Sequence, residues 1–490
     1  MRSLVRPKGA AVTATAFPAG LYRTALRPNL FAVRARLDPA WMVGAYITVL
    51  LIIPSPLVIG PLGAAGSPAN MVALACLAWW ACARFMPGGM AWGFNPIRWA
   101  VVVFVMAMFA GFAAGALRPL TGIETSGADR YVMAVFGFAG VALLAADGIS
   151  SLEQLNNAVK RLVNLTAVFA GAGILQFYTA INVASYVRIP GLSLAIPPAA
   201  EFALEERAGL RRVVATTSHP IEFGVVLAMV LPIALHLALT AADDEKRVRW
   251  LCLGVIGFAV PLSLARSAIL GLVCGTLMLW CGWEWPRKKA ALKVTIVYLL
   301  LMRLLVDGLL GTIRGMFVNM FNDPSYTGRT MDYAQVGQMF GDKPWFGRGL
   351  GTFDPRLYFY LDNQYLGTLI ETGLIGLVAM SLLFLVGLFT ARSVYRMCKL
   401  AGLTRLGELG RALAASMFVV ITSFITFDAL AFRMVAGVLF VLLGLIGAAW
   451  RVARIESTRL TWRPRPGTDQ GVRIARLTPA RARARAGARA

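Results

Sequence analysis

Long apolar runs recur from one end of the chain to the other. A run of roughly 17 to 25 apolar residues is long enough to cross the hydrocarbon core of a bilayer as an α-helix. The 490 residues are 58% hydrophobic with a mean hydropathy of +0.68, a composition that does not fit a soluble globular protein. The sequence therefore predicts an all-α, polytopic membrane protein with about 12 transmembrane helices. The predicted spans are residues 40–60, 69–86, 99–116, 131–147, 162–181, 221–240, 249–264, 267–283, 292–311, 364–390, 411–428 and 433–450.

Lysine and arginine are distributed unevenly between the two sets of loops. With a cytoplasmic N-terminus, most of the 48 basic residues fall on the cytoplasmic side, which is the bias that orients membrane proteins. Both termini are therefore predicted to be cytoplasmic, in a multi-pass protein of the cytoplasmic (inner) membrane. We expect a basic N-terminal segment (1–39), a membrane domain (40–450) and a basic disordered tail (451–490). The net charge of +24 favours anionic membrane lipids as partners, and no nucleic acid.

Residues that form disulfides or hold metals are few. The six cysteines fall in or beside predicted spans without a CxxC pair, and there are only two histidines. This pattern predicts neither a disulfide framework nor a metal site, and no cofactor is expected.

The longest polar segment between spans, residues 312–362, is a predicted extracytoplasmic loop between helices 9 and 10. It is rich in aromatic residues, and Tyr333, Val336 and Phe340 share one face of a short helix that would lie on the membrane surface. Aromatic side chains in such a loop either anchor it at the membrane interface or stack on sugar rings. The sequence leaves both uses open.

Two acidic residues mark the predicted tenth span. Asp362 stands at its start beside Asn363, and Glu371 follows inside it. Aspartate is a preferred N-cap and the helix dipole favours a negative charge there, so capping alone could explain Asp362. Glu371 lies about 180° from Asp362 around a regular helix. We therefore expect Glu371 to be structural or to line a separate polar cavity.

Arginines crowd the same predicted outer face. A lone arginine there is usually an interface anchor, whereas several that face a carboxylate are typical of a site for a phosphate headgroup. The arginines in question are Arg211, Arg212, Arg266, Arg329 and Arg348.

Four sequence blocks in the central third of the chain resemble the O-antigen polymerase and ligase superfamily. They are "RRVVATTSHPIEFG" from Arg211, "LSLARSAILG" around Arg266, "GRTMDYAQVGQMFGDKPWFGRGLGTF" around Arg329, and "DNQYLGTLIETGLIG" from Asp362. In the last block Asn363 is followed by nine residues and then by Gly373 and Gly376, which is similar to the motif with which the family re-enters the membrane.

The resemblance implies transfer of a glycan from an undecaprenyl-diphosphate carrier to an acceptor sugar hydroxyl at the outer face of the cytoplasmic membrane. By this resemblance Arg266 and Arg329 would hold the pyrophosphate and Asp362 would act as the base. Substrate binding would involve Arg211, Arg212, His219, Arg348 and Asn363. Possible protein partners are a flippase and a chain-length regulator.

Asp362 stands where ligases of this family carry histidine. This departure favours polymerisation of O-antigen or exopolysaccharide repeat units over ligation of a finished polysaccharide to a lipid or cell-wall acceptor. Two other classes stay open: a secondary transporter or lipid-linked oligosaccharide flippase, and a non-catalytic assembly protein. Transporters built from two halves tend to show an internal repeat, and none is evident in this sequence.

Overall fold

The helices follow the apolar runs of the sequence. The computed structural model describes residues 38–461 except 61–65, 87–89, 91–92, 195–205 and 320–323, and it describes residues 324–332 and 461 by their backbone alone. The predicted all-α class is confirmed, with fifteen α-helices in this part of the chain. The predicted basic N-terminal segment lies almost entirely outside the described residues, as does the tail after 461.

The helices vary widely in length. In chain order they are α1 (Pro39–Ile52), α2 (Pro68–Phe85), α3 (Pro96–Ala116), α4 (Gly122–Gly148), α5 (Leu152–Thr179), α6 (Val183–Tyr186), α7 (Pro220–Thr240), α8 (Lys246–Leu262), α9 (Arg266–Cys281), α10 (Trp285–Leu305), α11 (Leu309–Val318), α12 (Pro324–Asp342), α13 (Gln364–Ala401), α14 (Thr404–Ser423) and α15 (Arg433–Thr461).

Seven helices within the described residues are long and apolar enough to cross a membrane: α3, α4, α5, α7, α13, α14 and α15. Helices α10 and α11 meet at a bend of 110° and would make an eighth span if taken together, while α1 and α9 are apolar but shorter. Each of the twelve predicted spans overlaps a helix. The number twelve, and the position of the long loop between helices 9 and 10, stay predictions.

Helix α15 is the centre of the bundle. Over residues 434–450 it is apolar on every side, as expected of a helix that is enclosed by others, and 89% of its most apolar stretch is buried. It packs against α4, α7, α13 and α14, and the ring of Phe440 stacks on Phe138 of α4 with 5.5 Å between centroids. The helix runs past residue 450 to Thr461, so the tail begins later than predicted.

A buried ion pair closes one end of the bundle. Arg98, at the start of α3, makes two hydrogen bonds to the Asp147 carboxylate near the end of α4, at 2.8 and 2.6 Å. The Trp80 indole donates to the same carboxylate at 3.0 Å, and Arg451 donates to the Asp147 carbonyl. Each charge is therefore satisfied, which a buried ion pair requires.

The opposite end, which we call the loop end, joins segments far apart in sequence. The Gln176 side chain at the end of α5 accepts hydrogen bonds from the amides of Val214 and Ala215, at 3.0 and 2.7 Å. The buried Glu222 carboxylate in the first turn of α7 accepts from the amide of Met434 in α15, at 2.7 Å. These bonds hold the start of α7 against the start of α15.

Short strands and helices cover the loop end. Strands β1 (Leu57–Ile59) and β2 (Leu192–Leu194) pair antiparallel, as do β3 (Glu206–Arg207) and β4 (Leu210–Arg211). The segment 312–362 contains α12, in agreement with the short helix predicted there, with Val336 buried and Tyr333 exposed.

Candidate active site

Helix α13 is broken at Gly373. The residue has φ 65° and ψ −164°, a conformation that is essentially confined to glycine. The segment 344–349 of the preceding loop lies against this break, and its backbone supplies the hydrogen bonds that the helix loses. The bonds run from Arg348 N to Ile370 O (2.9 Å), from Gly349 N to Glu371 O (2.9 Å), from Leu374 N to Pro344 O (2.8 Å) and from Ile375 N to Trp345 O (3.2 Å).

Two glycines permit this close contact. A Cβ atom on Gly373 would lie 2.4 Å from the carbonyl carbon and oxygen of Trp345, and one on Gly347 would lie 2.4 Å from the backbone of Glu371. Both glycines have positive φ. The "GRGLGTF" and "TGLIG" blocks are therefore two halves of one interlock between loop and helix.

The Glu371 carboxylate fixes the same loop from the side. It accepts a hydrogen bond from the amide of Phe353 at 3.2 Å and another from the amide of Gly351. The Phe353 ring then stacks on that of Tyr358, with 5.3 Å between centroids. Glu371 thus positions the segment that forms one wall of the cavity described below.

At the start of α13 the residue that caps the helix is not the predicted base. The N-cap is Asn363, whose side-chain oxygen accepts from the amides of Tyr365 (2.9 Å) and Leu366 (3.3 Å). The capping interpretation of Asp362 is therefore wrong, because Asp362 lies one residue outside the helix and is exposed. The sequence analysis placed Glu371 about 180° from Asp362 around a regular helix. That prediction is wrong, because Asp362 lies before the helix begins.

Asp362 and Glu371 line the same cavity, of about 330 Å³, at the loop end. Asp428, in the turn between α14 and α15, is a third carboxylate in its wall, and His219 contributes an imidazole. The other lining residues are Phe104, Met108, Tyr131, Ala134, Val135, Phe138, Ile221, Leu350, Phe353, Pro355, Tyr360, Leu361, Gln364, Gly367, Thr368, Thr372, Phe427, Leu430, Ala431, Phe432 and Phe440.

Gln364 brings Asp428 close to Asp362. The side-chain oxygen of Gln364 accepts a hydrogen bond from the backbone amide of Leu430 at 2.6 Å. The backbone amide of Gln364 donates to the carbonyl of Phe424 at 3.0 Å. Burial and, to a smaller extent, the negative charge of Asp362 together raise the pKa of Asp428 to about 7. The two carboxylates therefore share one environment.

Sequence reasoning missed Asp428. Residues 411–428 were predicted as a span, so this aspartate stood at the end of a membrane helix, whereas α14 ends at Ser423. A carboxylate at the predicted outer boundary of a span is the signal that could have identified it.

His219 lines the cavity and also caps a helix. It is the N-cap of α7, where its Nδ1 accepts from the amide of Ile221 at 3.1 Å. When the ring is neutral, Nδ1 as acceptor places the proton on Nε2. The ring lies 5.7 Å from that of Phe432, centroid to centroid. His219 and Asp362 line the same cavity, and their predicted roles in one site stay a prediction.

Arg348 is held in a network that ties the loop to α4. Its guanidinium donates to the Tyr358 hydroxyl at 2.6 Å and lies 4.6 Å from the centre of that ring. The Tyr358 hydroxyl donates in turn to the buried Glu124 at 3.1 Å, and Arg118 donates to Glu124 at 2.6 Å. These contacts give Arg348 a structural role that the sequence did not suggest.

Of the other predicted arginines, Arg211, Arg212 and Arg266 do not line the cavity. Arg266 is the first residue of α9 and is half-buried, and Arg212 is 9% exposed. Arg211 donates to the Phe177 carbonyl at 3.4 Å. Arg329 lies on α12, and its side chain is outside the described residues.

Within the part of the chain that the structure describes, the cavity wall contains no lysine or arginine. The same part holds no group of three or more His, Cys, Asp or Glu side chains arranged to bind a metal ion. The cavity thus offers carboxylates, one imidazole and aromatic surface.

A family model described as O-antigen ligase matches residues 251–381 of the chain. The matched segment contains Arg266, Asp362 and Glu371, whereas His219 and Asp428 lie outside it. No curated protein matches the chain. Together with the apolar helices, the match fits a multi-pass inner-membrane protein of polysaccharide biosynthesis with an activity of the O-antigen ligase or polymerase type. The match over residues 251–381 confirms the resemblance of this segment to the O-antigen polymerase and ligase superfamily.

Proposed function

We propose that the protein transfers a glycan from an undecaprenyl-diphosphate carrier to an acceptor sugar hydroxyl at the outer face of the cytoplasmic membrane. The observation that carries this proposal is the cavity at the loop end. Its wall contains Asp362, which lies in the matched segment, together with Asp428 and His219. The cap of α13 is Asn363, so the Asp362 carboxylate lies at the cavity without serving as the N-cap.

In the proposed reaction the acceptor hydroxyl loses its proton to Asp362 and its oxygen attacks the anomeric carbon of the donor sugar. The bond between that carbon and the phosphate oxygen breaks, and undecaprenyl diphosphate leaves with the bonding electrons. Arg266 and Arg329 would stabilise the negative charge that develops on the pyrophosphate. A base positioned in this way contributes about 10²–10⁴-fold to a rate.

The remaining predicted residues take supporting roles in this proposal. Arg211 and Arg212 lie in the segment that leads to α7, where they could contact the carrier headgroup. His219 faces the acceptor from the cavity wall. Asn363 and Arg348 hold the start of α13 and the adjacent loop in place.

Polymerisation is the proposed direction of the reaction, because Asp362 replaces the histidine of the ligases. The test is to remove the gene and to analyse surface glycan and lipid-linked intermediates by size. Single repeat units without long chains would support polymerisation. Long chains that accumulate on the carrier would show ligation, and an unchanged glycan profile would contradict both.

The proposal also requires the loop end to face outward, with both termini in the cytoplasm. A reporter that is active only outside the cytoplasm should be active when fused near Tyr358 and silent when fused near Ala401. The opposite result would place the cavity on the side away from the acceptor.

A further inference from the structure

The charge of the cavity is the opposite of what a pyrophosphate needs. Asp362, Glu371 and Asp428 line it, and no lysine or arginine does so among the described residues. A phosphate group inside would meet three carboxylates in the wall, and like charges at close range repel strongly where water is scarce. The donor's pyrophosphate therefore belongs outside this cavity.

The Asp428 carboxylate is left for a ligand to satisfy. No described residue donates a hydrogen bond to it, and the turn that carries it offers no cap hydrogen bond to its side chain. Asp428 is half-buried, and a carboxylate that loses part of its hydration without gaining a donor is costly. A sugar provides hydroxyl donors around its ring, and such donors would remove that cost.

The rest of the wall is apolar and largely aromatic. Phe353, Tyr360, Phe427 and Phe432 line the cavity together with the three carboxylates. Pyranose rings present hydroxyls at their edges and C–H groups on their faces, so they match a wall that alternates acceptors with apolar surface. At about 330 Å³ the cavity is near the lower limit of ligand pockets, which suits one or two sugar residues rather than a long chain.

We propose that this cavity is the acceptor subsite and that it admits an uncharged sugar residue while excluding sugars that carry a carboxylate or a phosphate. This inference rests on the proposed function, since it assigns the acceptor to the cavity beside the base and leaves the carrier headgroup to Arg266 and Arg329. Asp428 determines the specificity, because the negative charge of its carboxylate opposes an acidic substituent.

Gly367 offers a way to fill the cavity without disturbing the helix. It lies in the second turn of α13 and lines the cavity, and a Cβ atom built on it meets no other atom within 4 Å. Gly367→Phe would therefore project a ring into the cavity. Gly254→Phe is the matched control, because Gly254 is an exposed helical glycine on α8 that also has open space around its Cβ position.

The experiment measures binding by saturation-transfer NMR on the full-length purified protein at pH 8. The probes are neutral methyl glycosides of glucose, galactose, mannose and N-acetylglucosamine, together with the methyl glucuronide and galacturonide. At least one neutral glycoside should bind, and its uronic acid counterpart should bind at least about tenfold more weakly. Asp428→Asn should reduce that difference, and Gly367→Phe should lower neutral binding by at least about tenfold, whereas Gly254→Phe should not.

Three results would overturn the inference: no neutral probe binds, the uronic acids bind as tightly as their neutral counterparts, or Gly367→Phe binds like the wild type. Because binding is measured without transfer, the outcome is independent of the proposed reaction. Neutral binding of the expected pattern in a protein that transfers no glycan would leave the sugar site standing and would refute the glycosyl transfer.

Discussion

Replacing Gly373 by alanine should detach the outer loop from α13. The residue has φ 65° and ψ −164°, and an added Cβ atom would lie 2.4 Å from the Trp345 carbonyl group. Holding alanine in such a conformation costs about 1–3 kcal/mol, and relief of the clash requires the loop backbone to move. The loop then loses its hydrogen bonds to α13, including those that Arg348 and Gly349 donate.

Gly367→Ala, six residues earlier in the same helix, is the matched comparison for stability. Its backbone is helical and the new methyl group meets no atom within 4 Å, so alanine should stabilise the helix by about 0.5–1 kcal/mol. The two variants should therefore differ by roughly 1.5–4 kcal/mol, the sum of the two effects.

Thermal unfolding of the purified protein measures this difference, and limited trypsin digestion reports the loop, because cleavage after Arg348 should become faster only in Gly373→Ala. Equal unfolding temperatures and equal cleavage rates in the two variants would refute the interlock between loop and helix.

Three further predictions concern the cap, the turn and the arginines. Asn363→Ala should lower stability by about 0.5–2 kcal/mol, whereas Asn363→Asp should retain most of it, as thermal unfolding would show. The pKa of Asp428 is raised to about 7, so the folded state holds this proton more tightly than the unfolded state and stability should fall as the pH rises from about 4 through 7. In Asp428→Asn the unfolding temperature should no longer show this fall between pH 4 and 7. If the unfolding temperature of Asp428→Asn falls with pH as steeply as that of the wild type, Asp428 is not the group responsible. Arg266→Ala and Arg329→Ala should each remove most glycan synthesis at normal protein levels, with partial rescue by lysine, because a point charge cannot reproduce the planar two-pronged contact; full activity in either would exclude that arginine from the headgroup site.

The sequence predicted what depends on composition and local pattern. Each apolar run overlaps a helix, because length and hydropathy alone decide that a segment can be buried in a bilayer. His219 and Asp362, which the sequence blocks assign to one site, both line the cavity, and their roles stay predictions.

What the sequence could not predict depends on contacts between distant segments. Gly373 can occupy a regular helix, and only the loop packed against it makes it a break. Because the N-cap is Asn363, Asp362 lies one residue outside the helix. Asp362 and Glu371 line the same cavity, which the regular-helix geometry did not predict. Asp428 stands in a turn that Gln364 holds by hydrogen bonds to Leu430 and Phe424, and these contacts join residues about 60 positions apart.

The rate of glycan transfer by Asp362→Asn tests the central claim most directly. Asp362 is exposed and makes no cap bond, and Asn363 continues to cap α13, so the variant should fold and reach the membrane at normal levels. Asparagine cannot accept the proton. With purified protein and a lipid-linked donor, we expect a loss on the order of 10²-fold or more, with a small residual rate in Asp362→Glu. Transfer by Asp362→Asn at the wild-type rate would contradict the assignment of Asp362 as the base.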